Sequence, residues 1–152
     1  ATLRKDLEAF AKEDANPQFQ LVNKVIRRYK DSLYLTKPFS DLTKYILKLE
    51  QNTLSLPDDL GNLTVQENER NLIFYWQNYS VMLDKTDLPI SIRFGYSGKV
   101  KHHPKRPRED IKKIWQSLDI PPWQRNRIPL IFYGDELKSA VGFFCVFKSN
   151  EK

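Results

Sequence analysis

Apolar residues at the start of the chain recur at the spacing of a helix. Residues 2–13 (TLRKDLEAFAKE) place Leu3, Leu7 and Phe10 on one stripe with charged residues elsewhere, which predicts an amphipathic helix. The sequence DANPQ at 14–18 interrupts this pattern. Because the chain opens directly on a helical pattern and without an initiator methionine, we expect it to be a piece of a longer protein.

Strand patterns with a period of two residues follow. Residues 19–38 alternate apolar and polar positions around Lys30-Asp31-Ser32, which predicts a hairpin. Residues 41–50 (DLTKYILKLE) fit either a short helix or an irregular connection. Further strands are predicted at NLTV (62–65), NLIFYW (71–76), YSVML (79–83) and PISIRF (89–94). The sequence GYSGK (95–99) is expected to form a hairpin tip in which glycines supply positive φ angles.

One strongly amphipathic helix is predicted in the second half of the chain. Its apolar stripe has the spacing i, i+3, i+4 and i+7 and consists of Ile111, Ile114, Trp115 and Leu118. Lys112 and Lys113 lie on the opposite face. Glu109 and Asp110 are expected in the first turn, where negative charge suits the helix dipole. Pro121 and Pro122 are expected to end the helix.

Two long apolar strands are predicted to close the chain as a hairpin. The first is PLIFY (129–133), the turn is Gly-Asp-Glu at 134–136, and the second is LKSAVGFFCVF (137–147). The predicted fold class is therefore α+β. We expect a strand-rich domain that carries one basic helix and is preceded by the end of a helical region.

The positive charge of the chain is concentrated in one segment. The net charge is +6, and residues 99–128 hold nine Lys or Arg against three Asp or Glu, so this segment accounts for the whole excess. A patch of this kind favours a polyanionic partner, most often nucleic acid, through phosphate neutralisation and counterion release. The alternative is a solvated surface with no ligand, and charge alone does not decide between the two.

Several other classes of protein do not fit the sequence. The single cysteine, Cys145, lies in the apolar run VGFFCVF, where a small buried hydrophobe is expected and a disulfide is not. This favours a reducing, cytoplasmic setting. No apolar run approaches the roughly 20 residues of a membrane span, so we expect no membrane partner. The charged start of the chain does not resemble a signal peptide.

The sequence shows no catalytic apparatus, and we expect no cofactor or metal in this chain. GYSGKV lacks the glycine spacing and the Ser or Thr of a phosphate-binding loop. His102 and His103 are adjacent and surrounded by cations, which is typical of a basic loop rather than a metal site. Cys145 lies in an apolar run that does not favour a reactive thiolate.

The corner after the basic helix is expected to be rigid. Trp115 is predicted to anchor the helix in the core, and Trp123 is predicted to fix how the chain leaves it, with a base-stacking role as the alternative. Pro121 and Pro122 stiffen this corner. A rigid corner would let cations from the helix and its two flanking loops converge on one surface that grips an RNA helix by its phosphates and 2′-hydroxyls.

These residues also carry a family resemblance. The stretch DIKKIWQSLDIPPWQRNRIPLIFYGDELKSAVGFFCVF (110–147) resembles the C-terminal signature of tRNA(Ile)-lysidine synthetase, with its Lys-Lys helix, Pro-Pro-Trp stop and Tyr-Gly-Asp turn. The likeness extends from about residue 19 to 147 and is most specific at 111–137. Asp119 departs from it, since the family usually has glycine at this helix end.

The resemblance implies a parent enzyme that uses ATP with magnesium and free lysine to convert the wobble cytidine of tRNA(Ile) to lysidine. The catalytic site of the family lies in an N-terminal domain whose motif does not occur here, so this chain would grip the tRNA, chiefly its acceptor stem, without being catalytic alone. Residues 1–18 would be the last helix of a helical substrate-recognition domain. Residues 19–152 would be the C-terminal tRNA-binding domain, a β-rich sandwich. The partners implied are tRNA(Ile) and the catalytic domain of the parent, and a homodimer stays open.

The matching positions give a set of site residues. Those implied as RNA contacts by the family motif are Lys112, Lys113, Arg125 and Arg127. The cations assigned from charge alone, in a loop that differs from the family pattern, are Lys101, Lys105, Arg106 and Arg108. The expected scaffold consists of Trp115, Pro121, Pro122 and Trp123. A different class of function also fits, namely a structural module whose basic face binds an acidic protein surface or the catalytic domain.

Overall fold

The computed structural model describes residues 24–148. The chain divides into two compact units, residues 1–40 and residues 41–152. The predicted helix at 2–13 and the predicted domain boundary after residue 18 lie outside the described residues. The described part of the first unit is a single hairpin, and the second unit holds the candidate site.

The elements are numbered here in chain order. The described strands are β1 (Val25–Tyr29), β2 (Ser32–Thr36), β3 (Ile46–Lys48), β4 (Thr53–Ser55), β5 (Asn62–Glu67), β6 (Asn71–Trp76), β7 (Tyr79–Asp84), β8 (Ile90–Arg93), β9 (Lys99–Val100), β10 (Glu109–Asp110), β11 (Leu130–Tyr133), β12 (Glu136–Ala140) and β13 (Phe144–Cys145). The described helices are α1 (Ile111–Ser117) and α2 (Pro122–Arg125). The fold is a β-rich α+β fold, as the sequence predicted. Neither described helix is long or apolar enough to cross a membrane.

The hairpin of the first unit confirms the prediction for the region around residue 31. Strands β1 and β2 pair antiparallel, with Val25 opposite Thr36 and Tyr29 opposite Ser32. Lys30 takes a positive φ of 55° in the connecting turn. The side chain of Arg27 donates a hydrogen bond of 2.9 Å from Nε to the hydroxyl oxygen of Thr36 across the hairpin.

Two sheets make up most of the second unit. Five antiparallel strands lie in the order β13-β12-β11-β8-β3, and four lie in the order β4-β5-β6-β7. The four-stranded sheet is a simple meander, as expected for strands joined by short turns. Both sheets contribute to one hydrophobic core, with Leu63 and Phe74 from one and Ile92 and Ile131 from the other. The strands predicted at 62–65, 71–76, 79–83 and 89–94 are all present.

Of the two alternatives predicted for 41–50, the helix was wrong, whereas the irregular connection holds for residues 41–45 and 49–50 but not for 46–48. Residues 46–48 form β3, an edge strand that pairs with β8 and places Leu47 opposite Ile92. Tyr45, Leu47 and Leu49 pack against the core, whereas Ile46 is 59% exposed. The alternation of a half-buried strand was therefore present in YILKL, but it is too short to stand out from a helical pattern.

The segment predicted as a hairpin tip connects two different sheets. Strand β8 pairs with β3 and β11, whereas β9 pairs with β10, with Val100 opposite Glu109. Residues 95–98 therefore lead from the five-stranded sheet into a separate two-stranded one. The expected positive φ angles are present at Gly95 (82°) and Gly98 (131°).

Helix α1 is confirmed, but its ends differ from the prediction. Asp110 is the N-cap, and its side chain accepts a hydrogen bond of 2.9 Å from the backbone N–H of Lys112. The helix stops before the prolines because Asp119 adopts a left-handed φ of 61°. The N–H of Ile120 then donates to the carbonyl of Trp115, which completes a Schellman turn. Leu118 is 40% exposed and does not belong to the buried stripe.

The closing hairpin is present, but its second strand is broken. Strands β11 and β12 pair around the turn at Gly134, and the chain then turns at Val141–Phe143 so that β13 folds back on β12. Gly142 has a φ of 86° in this turn. A Cβ atom added there would lie 2.5 Å from Cγ of Tyr79, so the residue must be glycine for steric reasons as well. The turn was not predicted, because the run VGFFCVF that contains it is apolar throughout.

We expect Gly142→Ala to destabilise the second unit more than Gly61→Ala does. Both glycines have nearly the same positive φ, 86° and 85°, which costs an alanine about 1–2 kcal/mol. Only Gly142 faces Tyr79, and the overlap should add about 1–3 kcal/mol, whereas a Cβ at Gly61 meets nothing within 4 Å. Urea denaturation of the two variants measures the difference. Equal losses would show that the Tyr79 contact is not a constraint.

Candidate nucleic-acid interface

A cleft of about 460 Å³ lies beside α1, and we call it the first basic cleft. Lys112 and Arg125 line it, together with the polar side chains of Ser97 and Asn126. Lys112 is exposed, and its backbone is fixed by the Asp110 cap. Two of the predicted RNA-contacting cations, one from each helix, are therefore brought together on one surface.

The corner between the two helices holds the second of these cations in place. The Nε of Arg125 donates a hydrogen bond of 2.8 Å to the carbonyl oxygen of Ile120. That carbonyl belongs to the residue that completes the Schellman turn of α1. Helix α2 begins at Pro122, which suits a first helical position because its fixed φ is compatible with a helix. The guanidinium of Arg125 is thus tied to the corner through one nitrogen.

A second cleft of about 410 Å³ lies along the β9–β10 hairpin, and we call it the second basic cleft. Its cations are Lys99, Lys101, Arg108 and Lys148. Arg108 is held by a hydrogen bond of 3.1 Å from its terminal nitrogen to the carbonyl oxygen of Lys99. Asp135 and Glu136 line the same cleft, so its charge is mixed. Two of the cations predicted from charge alone, Lys101 and Arg108, therefore lie in one place.

Tyr96 lines both clefts and connects them. Tyr96 is not among the site residues predicted from the sequence, because the pattern GYSGK predicts only a turn. A tyrosine between two glycines and next to a cluster of cations was the available signal. Lys99 and Lys148 were likewise absent from the predicted contacts.

Four predicted cations lie outside the lining of both clefts, and three of these are exposed. Lys105 and Arg106 are exposed on the loop between β9 and β10, and Lys113 is exposed on α1. The loop is folded on itself through His103, which accepts a hydrogen bond of 3.1 Å from the backbone of Lys105. At the base of the loop, Nε2 of His102 lies 2.6 Å from Oε1 of Glu109. These cations extend the basic surface without shaping either cleft.

The structure does not support Arg127 as an RNA contact. Its side chain is 8% exposed and forms an ion pair with the carboxylate of Asp58. A second nitrogen of the guanidinium donates a hydrogen bond of 3.0 Å to the backbone carbonyl of Asp58. A cation buried in this way is costly to remove from its counter-charge. We therefore assign Arg127 a structural role: it connects the loop that contains Asp58 to the chain segment that follows α2.

The predicted scaffold residues differ in their burial. Trp115 is 4% exposed, and its ring meets Phe144 and Phe143 edge-on at centroid distances of 5.2 and 6.1 Å. Trp123 is partly buried, Pro121 is partly buried and Pro122 is exposed. Trp115 also lines the first basic cleft, so the helix that presents Lys112 to this cleft also packs against the core.

No group of three or more His, Cys, Asp or Glu within 24–148 is placed to hold a metal ion. Burial and the nearby Asp84 raise the pKa of the Tyr133 phenol to about 12. Its hydroxyl donates a hydrogen bond of 2.6 Å to the carbonyl oxygen of Asp84, a structural contact between the two sheets.

The structure is therefore a β-rich α+β domain with a basic surface, on which two clefts share the aromatic residue Tyr96. Residues 90–152 match the model of the family described as the TilS substrate C-terminal domain. The chain is 87% identical over 138 residues to a tRNA(Ile)-lysidine synthase of Haemophilus influenzae strain PittGG. It is 49% identical over 152 aligned residues to that of Actinobacillus succinogenes and 39% identical over 137 to that of Serratia proteamaculans. The chain belongs to the tRNA(Ile)-lysidine synthase family and corresponds to its C-terminal portion.

The matches cover most of this chain but a minority of each relative. They take in 91%, 97% and 90% of the chain, and 32%, 35% and 29% of the respective relatives. The chain therefore spans about a third of the length of these proteins. The resemblance inferred from residues 110–147 is confirmed.

We expect Asp58→Asn to lower the free energy of unfolding by about 3 kcal/mol, because it removes the carboxylate that pairs with the buried guanidinium of Arg127. Asparagine tolerates the φ of 56° at this position, so backbone strain should not contribute. The matched control is Glu67→Gln, which breaks an exposed ion pair of 2.7 Å with Lys85 and should cost less than about 1 kcal/mol. Chemical denaturation measures both. Similar losses would return Arg127 to the candidates for ligand binding.

Proposed function

We propose that this chain is the tRNA-contacting portion of a tRNA(Ile)-lysidine synthase and that its basic clefts bind the RNA backbone. One observation carries the proposal. Cations from α1, α2 and the β9–β10 hairpin line two clefts that share Tyr96, so a single surface offers several phosphate contacts. Backbone contacts of this kind provide most of the affinity in RNA binding.

The proposed ligand is tRNA(Ile), and the name of the relatives supports this choice. The family resemblance points to the acceptor stem as the part that is gripped. An A-form helix is recognised by its shape, its phosphates and its 2′-hydroxyls, because side chains do not enter its narrow major groove. Exposed lysines with arginines held by backbone carbonyls suit that mode of binding.

The chemistry of the parent belongs to the same proposal. The parent uses ATP with magnesium and free lysine to convert the wobble cytidine to lysidine, in the cytoplasm. The described part of this chain contributes binding and orientation and does not supply the reacting groups. We propose that the chain alone binds tRNA without modifying it.

Docking to a protein surface is the second candidate, and the mixed charge of the second basic cleft favours it. Asp135 and Glu136 lie among the cations there, as in many protein interfaces. The two candidates differ in salt dependence. RNA binding through the five cations Lys99, Lys101, Arg108, Lys112 and Arg125 should give a slope of log affinity against log salt of about −4 to −5.

We expect Lys112→Glu with Lys113→Glu to weaken binding of this chain to a tRNA(Ile) transcript by more than about tenfold and to reduce the salt slope. Tested singly, Lys112→Glu should have the larger effect, because only Lys112 lines a cleft. Fluorescence anisotropy across a salt series measures both. Both lysines are exposed, so the melting temperature should not change.

The matched control reverses two charges elsewhere on the second unit. Arg70→Glu with Lys85→Glu makes the same change in net charge at the β6–β7 end of the four-stranded sheet, and neither residue lines the first or the second basic cleft. It should change the affinity by less than about threefold. Equal losses of affinity in the two double variants would show that the effect depends only on net charge. An affinity that does not depend on salt would favour docking to a protein.

A further inference from the structure

Tyr96 occupies a special position in the candidate interface. Among residues 24–148 it alone lines both basic clefts, and it is 37% exposed. Lys112 and Arg125 line the first basic cleft together with Tyr96. Lys99 and Arg108 line the second together with Tyr96. An accessible aromatic ring thus borders two groups of cations.

The ring of Tyr96 is held in a defined position. It packs against Phe132 at a centroid distance of 6.1 Å and an interplanar angle of 48°. A Cβ atom added to Gly98 would lie 3.5 Å from Cε2 of the ring, so the ring rests against the backbone of its own turn. Phe132 is itself buried, and Cζ of Arg93 lies 4.4 Å from the centroid of the Phe132 ring. A fixed ring loses little conformational entropy when a ligand stacks on it.

We propose that the ring of Tyr96 stacks on an unpaired RNA base, with the phosphates on either side of that nucleotide held in the two basic clefts. This rests on the proposed function and specifies the part of the RNA that is bound. In an A-form duplex the faces of the bases are covered by their neighbours, so a side chain stacks only on an unpaired or terminal base. An aromatic ring between cationic grooves is the usual arrangement for single-stranded nucleic acid.

The inference separates Tyr96 from the other cleft residues. Lys112, Arg125 and Arg108 contribute to the binding of paired and unpaired RNA alike, since both carry phosphates. Tyr96 contributes only where a base is free to stack. The interface therefore binds a junction, in which a duplex and an adjoining single-stranded segment are recognised by different side chains.

The test compares two RNAs and measures their affinity for the whole chain. One is a blunt hairpin, and the other is the same hairpin with a four-nucleotide single-stranded 3′ extension that carries 2-aminopurine. We expect the extension to tighten binding to the unaltered chain and to quench the 2-aminopurine fluorescence. Tyr96→Ala should weaken binding of the extended RNA by roughly tenfold and abolish the quenching, while the affinity for the blunt hairpin stays the same.

Further variants distinguish stacking from a structural role. Tyr96→Phe keeps the ring and should behave like the unaltered chain. Tyr96→Leu keeps an apolar contact with Phe132 but removes the ring, so it should behave like Tyr96→Ala. Tyr75→Ala removes a partly exposed tyrosine from the four-stranded sheet and should change neither affinity. Melting temperatures show which variants stay folded.

Three results would overturn the proposal. Full affinity and quenching in Tyr96→Leu would exclude stacking. Equal binding of the blunt and extended RNAs by the unaltered chain would also exclude it, but salt-dependent binding to both would leave the proposed function intact. The absence of salt-dependent binding to either RNA would overturn both proposals together.

Discussion

A continuous series of aromatic contacts fixes the position of the basic helix. Trp76 stacks on Tyr79 at 5.7 Å in the four-stranded sheet, Tyr79 meets Phe143 at 4.9 Å, and Phe143 meets Trp115 of α1 at 6.1 Å. The series runs from one sheet through the turn at 141–143 to the helix. Each such contact adds about 0.5–1.5 kcal/mol beyond the burial of apolar surface. Because the rings are large and rigid, the helix is held at one orientation, and its lysines with it.

The same constraint explains why the turn at 141–143 is placed where it is. The turn brings both Phe143 and Phe144 into edge contact with Trp115, at centroid distances of 6.1 and 5.2 Å. The left-handed Gly142 makes this turn within the space left by Tyr79. A backbone conformation in the last strand therefore determines the location of side chains on the helix. This coupling connects the packing of the core to the geometry of the interface.

Much of the fold was predictable because it rests on local patterns. The hairpin at 25–36, the meander at 62–84 and helix α1 each have a clear period and recognisable turn residues. The exceptions arise where tertiary contacts decide. Strand β3 is too short for its period to be recognised, and the turn at 141–143 lies in a run that is apolar throughout. The connection at 95–98 joins two sheets, which no local pattern distinguishes from a hairpin.

The candidate site was predictable as a charged segment but not residue by residue. Sequence spacing places Arg125 and Arg127 two residues apart as equivalent cations, yet their environments differ completely. Arg125 reaches the first basic cleft, while Arg127 turns inward to Asp58, which lies 69 residues away in the chain. A partner so distant leaves no trace in the local sequence. Tyr96 was missed for a related reason, since its importance comes from two clefts that form only in the folded chain.

The acidic residues of the second basic cleft restrict how the proposed ligand lies on the surface. Asp135 is fully exposed, and the terminal nitrogen of Arg93 approaches it at 3.7 Å. A phosphate placed beside Asp135 and Glu136 would be repelled, whereas one beside Arg108 and Lys99 would be attracted. In a surface of mixed sign, the repulsive groups exclude alternative registers while the cations supply affinity. The proposed RNA path therefore places phosphates beside Arg108 and Lys99 and away from Asp135 and Glu136, and Tyr96, which lines both clefts, connects this path to Lys112.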